Sequence, residues 1–560
     1  MIFSSLGLPD RQERLCSLPK DFMKLSLLLS ALLAAAAVLF ISLSAQAAPA
    51  LQVSHLCCEY KENPRGIDAA RPRLSWQLQS DTRGQRQTAC EIFVASSEAA
   101  LAAGRGNLWD SGKIASADST AVEYRGSALT SGSRYWWKVR VWDKDGHRGP
   151  DSPASFWQMG LLHPSDWKAQ WISALTPRDT QIDGNNLPPC PYVRRTFTIA
   201  KPVQSATIFA TARGLYELHL NGAKVGNAVL APGWTDYHKH IEYQAYDVTS
   251  ALHPGANTVG AIIGDGWYSG YVGFSRRRNL YGSRPALRLQ MDIKYTDGTH
   301  QRVVSDGTWT GRTGPIVYSD LLQGESYDAR AELTGWDRPG SAAAGWQPVS
   351  TAQAALPSAQ VSVKAALAAK VQNNALSVIA GNDLAGDPAY NTVKKLRVSY
   401  TLSGVPHTQT VSEKDTLRIP GPGETPGKLV IRSAVYGDLS AVTGPVTLMA
   451  TVGPAVRVTQ LLPARKITQP TPGTYLFDLG QNMVGWARLK VRGAAGTRVR
   501  LRFGEVLNPD GTLYTANLRS AHATDTYTCR GGGVAETFEP HFTFHGFRYV
   551  EVTGYPARRI

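Results

Sequence analysis

The chain has 560 residues, 43% hydrophobic and 18% charged, which is too many for one ordinary domain and enough for roughly three or four cores. Its formal charge of +15 would suit nucleic acid, but the cations are scattered without a solid basic run, which argues against a nucleic-acid partner. With 52 Gly and 33 Pro among many Thr and Val, the texture is that of strands joined by tight turns. It predicts an all-β protein of several β-sandwich domains in series.

At the N-terminus, Met23 and Lys24 precede the apolar run from Leu25 to Leu43 and then Ala45-Gln46-Ala47. A basic start, an apolar middle and a small-residue end make a secretory signal. The expectation is translation from Met23, cleavage after Ala47, residues 1–47 lost, and a secreted or periplasmic product with no membrane attachment. A retained anchor is the alternative, since the run is just long enough to span a bilayer. Beyond it lie Cys57, Cys58, Cys90, Cys190 and Cys529, an odd and sparse set that forms no disulfide framework. Neither CxxC pairs nor His-rich spacings occur, so no structural zinc is expected.

From residue 48 to 160, apolar and polar residues alternate in short runs separated by Gly, Ser and Asp, which predicts a small β-sandwich. Its aromatic run, Tyr135 to Trp142, offers a sugar platform, but alternate residues of a strand face opposite ways, so half should be core. Residues 161–349 read as a larger sandwich, in which Leu220 runs into Asn221-Gly222, a two-residue hairpin signal. Residues 350–462 turn to Ala, Val, Pro and Gly, and read as an inserted or linking β module. Residues 463–560 alternate again, as in Thr497 to Phe503.

At this point the residues resemble a known family. Pro72-Arg73-Leu74-Ser75-Trp76 in the first block, Ala231-Pro232-Gly233-Trp234-Thr235-Asp236-Tyr237, Gly264-Asp265-Gly266-Trp267-Tyr268 and Gly324-Glu325-Ser326-Tyr327-Asp328 in the second, and Phe477 to Trp486 with His545 to Val550 in the last, resemble bacterial α-L-rhamnosidases of glycoside hydrolase family 78. The resemblance implies a fibronectin-like leader, a jelly-roll-like carbohydrate-binding sandwich and a concanavalin-like domain. It also implies that the catalytic α/α barrel, with the acid and base of inverting hydrolysis, comes after this point. The barrel's acidic signature has no counterpart here, so no catalytic residue is carried over. Fragment, frameshift product and half of a split gene all stay open.

Sugars present flat apolar faces that stack on aromatic rings, and hydroxyls that need carboxylates, amides or a bound cation. Trp234, Asp236, Asp265, Trp267 and Tyr268 supply both kinds within short stretches, as do Glu325 and Asp328. The resemblance implies rhamnose binding through calcium, and the residue types place its ligands at Asp236 and Asp265. A tight turn with a buried anchor is the competing reading of the same residues. Arg276-Arg277-Arg278 suits acidic sugars or a solvated loop, and Arg548 beside His545 suits a strand-edge role. No phosphate loop, dinucleotide fingerprint or Gly-x-Ser-x-Gly elbow is present. The expected function is the non-catalytic part of an α-L-rhamnosidase that binds rhamnose-containing glycans. The alternative is a scaffold that braces a separately encoded barrel and binds no sugar.

Overall fold

A computed structural model describes residues 51–174, 176–177, 180–273, 278–342, 344–351, 360–386, 394–437, 439 and 446–556. The signal segment and Arg276-Arg277 lie outside these. Among the described residues no helix is long and apolar enough to cross a membrane.

The chain is all-β. In the first sandwich a four-stranded sheet faces a five-stranded one built on Arg134–Trp142 and Ala89–Ala95. Period-two alternation decides which rings are core. Tyr135, Trp137, Val139 and Val141 point inward onto Trp76 and Trp157, while Trp136 and Trp142 take the other face.

The second sandwich packs a six-stranded sheet on a five-stranded one, with Val193, Ile208, Val259, Ile263, Leu289 and Trp309 between them. Asn221 (φ 54°) and Gly222 (φ 88°) both lie in the left-handed region and pair Leu220 with Ala223, the mirror-image turn that the Asn-Gly signal predicts.

Two segments leave the blocks their sequence position suggests. The hairpin of Ile316–Asp320 and Gly324–Asp328 departs from the second sandwich, and its second strand runs parallel to Thr524–Thr528, so both join the seven-stranded sheet of the last block. In the other direction, Thr447–Ala450 returns to pair in parallel with His240–Asp247 of the second sandwich. What lies between, residues 360–437, has its own core of Leu396, Val398, Tyr400, Leu417 and Tyr436, and is an insertion into the second sandwich. The last block buries Val499, Leu501 and Phe503 from Arg498–Gly504, while Arg498, Arg500 and Arg502 alternate to the other face.

Candidate functional site

The Trp234 and Trp267 loops meet at one face of the second sandwich. Strand Gly255–Gly264 ends in a single helical turn, Gly266–Ser269. Gly266 sits at φ +49°, and a Cβ there would lie 2.5 Å from Leu215 Cγ, so glycine is required for the turn to sit this tightly on the sheet. The turn sends Tyr268 inward and leaves Trp267 half-buried at the rim. Trp234 approaches from the Ala231–Asp236 loop, 53% exposed, its ring within 6° of parallel to Trp267 at 6.1 Å between centroids. Its indole N–H points at the Tyr281 hydroxyl at 3.4 Å, and Tyr281 contacts His238 at 5.1 Å between centroids. Four aromatic side chains thus line one rim, and the most exposed, Trp234, offers a flat face for a sugar ring.

The other predicted residues have different tasks. The sequence reading puts Tyr268 at the sugar surface, but the ring is 1% exposed and packs edge-on against Tyr237 at 5.3 Å, so it is core. Asp265 is 6% exposed and pairs with Arg278, whose guanidinium also donates to the Ser269 carbonyl at 3.0 Å and to Asn186 Oδ1 at 2.8 Å. Arg278 is therefore neither a solvated loop cation nor available to an acidic sugar; it clamps the turn that carries Trp267. Asp236 lies on the rim, where it accepts the His238 N–H at 3.1 Å and pairs with Lys239 at 3.0 Å. Burial pulls the Asp236 carboxyl upward, but Lys239 and that amide outweigh it and hold it below the usual range.

These two acids do not fit a calcium site as they stand. Each carboxylate already faces a cation, and no third acid joins them among the described residues. Three potential ligands do come together in the first sandwich, Asp143, Asp145 and His147, but Asp143 Oδ1 is taken by the amides of Asp145 and His147. Glu325 and Asp328 also serve the fold. Glu325 pairs with His541, and Asp328 caps the turn at Ala329–Ala331 while gripping Arg330. In the last strand Arg548 forms a two-pronged pair with Asp478 at 2.9 Å, and His545 pairs with buried Asp525 at 3.1 Å.

One constellation has no signature in the sequence. Where the second sandwich, residues 457–458 and the last block meet, a cleft of about 390 Å³ is lined by Glu217, Lys224, Asn227, Arg457, Trp486, Glu539 and His541, among others. These come from three distant stretches, so no local spacing announces them.

Comparison with known proteins now adds identity. Residues 53–163 match the Rha78A-like N-terminal immunoglobulin domain, 201–373 the α-L-rhamnosidase N-terminal domain, and 468–560 the bacterial α-L-rhamnosidase concanavalin-like domain. An α-L-rhamnosidase of Streptomyces avermitilis is 34% identical over 91% of this chain and 56% of its own length. One from Formosa agariphila is 31% identical over 89% of this chain and 44% of its own. The crystal structure of the Streptomyces avermitilis enzyme complexed with L-rhamnose superposes with a TM-score of 0.71 at 33% identity, covering 91% of this chain and 56% of that one. The Dictyoglumus thermophilum enzyme gives 0.68 at 30% identity, covering 91% and 47%. The chain spans about half the length of the curated relatives it matches. On these grounds it belongs to the α-L-rhamnosidase family, glycoside hydrolase family 78, of which it carries the N-terminal and concanavalin-like domains.

Proposed function

We propose that this chain is the accessory portion of an α-L-rhamnosidase and that it recognises rhamnose-containing glycans at the Trp234 and Trp267 rim. The hydrolysis of terminal α-L-rhamnosyl residues belongs to the complete protein, through carboxyl groups held about 6.5–9.5 Å apart in another domain. The observation that carries the reading is the parallel tryptophan pair, with Trp234 53% exposed beside the half-exposed carboxylate of Asp236. A 6-deoxy sugar has one apolar face with its methyl group, which suits an indole, and hydroxyls that suit Asp236. With both acids committed to cations, the affinity is expected to be the same in calcium and in chelator.

The scaffold reading has its own support: Asp265, Tyr268 and Glu325 are all spent on packing and ion pairs. Calorimetric titration of the purified chain with L-rhamnose, with calcium and with EDTA, separates the two. Binding that Trp234→Ala abolishes supports recognition; no binding at millimolar sugar under either condition supports the scaffold. The secreted or periplasmic location and a separately encoded barrel as partner remain part of this proposal.

A further inference from the structure

The cleft between the second sandwich and the last block is walled by three parts of the chain. Glu217, Lys224, Asn227 and Val229 come from one side, Trp486, Glu539 and His541 from the other, and Arg457 with Val458 from the stretch that crosses between them. That stretch is tied down, because the Val229 N–H donates to the Val456 carbonyl at 2.9 Å. The volume of about 390 Å³ falls within the range of small-ligand sites.

The charges of this lining do not cancel. Glu217 is matched by Lys224 and by His219, which also holds Asp337. Glu539 accepts from Trp486 at 3.0 Å and from Arg488 at 2.7 Å, and Glu325 behind the cleft pairs with His541. The carboxylates of Glu217, Asp337, Glu539 and Glu325 therefore stand against Lys224, His219, Arg488 and His541. Arg457 is left over, exposed at the rim, with no ion-pair partner among the described residues.

We propose that this cleft is a second sugar site, specific for an anionic residue of the hexuronate class. Arg457 receives the ring carboxylate, the forked guanidinium gripping both oxygens. The Trp486 indole, held in place by its N–H bond to Glu539, covers an apolar face of the ring. The Asn227 amide, also in the lining, takes a ring hydroxyl. The site draws on none of the residues of the Trp234 rim and stands or falls separately from it.

The test is calorimetric titration of the purified chain with sodium D-galacturonate and with D-galactose, which differ by a carboxylate in place of a hydroxymethyl group. Galacturonate is expected to bind at least about tenfold more tightly. Arg457→Ala, an exposed change, should remove most of that preference without shifting the melting temperature, and Trp486→Phe should retain more affinity than Trp486→Ala. Trp234→Ala should leave galacturonate binding unchanged. Equal affinity for the two sugars, wild-type binding by Arg457→Ala, or no galacturonate heat at about 10 mM overturns the assignment.

Discussion

Glu325 and His541, 216 residues apart, meet in an ion pair of 3.0 Å beneath the junction of two sheets, and the same carboxylate accepts the backbone N–H groups of His541 and Phe542 at 2.9 and 3.2 Å. Glu325 is fully buried, so removing it strands three donors at once. Glu325→Ala is expected to cost about 3–5 kcal/mol, and Glu325→Gln less, since the amide oxygen still accepts. Urea unfolding monitored by tryptophan fluorescence measures it. A loss within about 0.5 kcal/mol of wild type would show that the junction contributes little.

A second partly buried histidine makes stability depend on pH. His219 lies 2.7 Å from Asp337 and 3.0 Å from Glu217. Burial works against its charged form, but the two carboxylates outweigh burial and raise it from 6.5 to about 9. Because the folded value lies above the unfolded one, the stabilisation is fully present below pH 6.5 and is lost as pH rises through about 9. The melting temperature of wild type should therefore fall across that interval more than that of His219→Gln. Parallel curves for the two proteins would contradict it.

The tryptophan pair divides by burial. Trp234→Ala removes a half-exposed ring and should shift stability by no more than about 0.5 kcal/mol while abolishing rhamnose binding. Trp267→Ala takes a ring packed against two core clusters and should lose both binding and a few kcal/mol. Tyr268→Ala, at a fully buried ring, should cost about 3–5 kcal/mol whatever the fate of the sugar. Thermal melts beside titrations read all three.

Arg278→Met removes the guanidinium paired with buried Asp265 and frees the turn that carries Trp267. The expected result is a loss of about 3 kcal/mol, with weakened rhamnose binding as a consequence. Arg278→Lys should rescue little, because one ammonium cannot reach Asp265, Ser269 and Asn186 together in the guanidinium's planar fork. A Lys variant with wild-type melting would refute this geometry.

Export is checked directly. The protein recovered outside the cytoplasm should begin near Ala48, and N-terminal sequencing that finds Leu25 to Leu43 retained would favour an anchor.

Local patterns were readable because local physics produced them. The alternation of Tyr135 to Trp142 separates core rings from surface rings one by one, and Asn221-Gly222 specifies its own turn through two positive φ values. The tryptophans of the rim were readable from residue type. The burial of Tyr268 and Asp265 was not readable, because a Gly-Asp-Gly-Trp-Tyr stretch looks the same whether its polar and aromatic groups face solvent or a buried arginine. The arginine that decides between them lies 13 residues on, in a stretch with no periodicity of its own. The parallel pairing of Gly324–Asp328 with Thr524–Thr528 spans about 200 residues, a distance at which hydrophobic periodicity carries no information about partners.

The hairpin of Ile316–Asp320 and Gly324–Asp328 ties the second sandwich to the last block. A recombination point or expression boundary placed between residues 349 and 446 would divide one sheet from its edge hairpin and leave His240–Asp247 without its parallel neighbour. The inserted module is the opposite case. Its first and last strands, Gln360–Ser362 and Leu429–Gly437, are hydrogen-bonded partners in which Gln360 stands across from Gly437, so its entry and exit are adjacent. A cassette with touching ends can be excised and closed with a short linker, or exchanged for another, at small cost to its host. Of the whole chain, this is the piece that evolution or an engineer can trade without unpicking the rest.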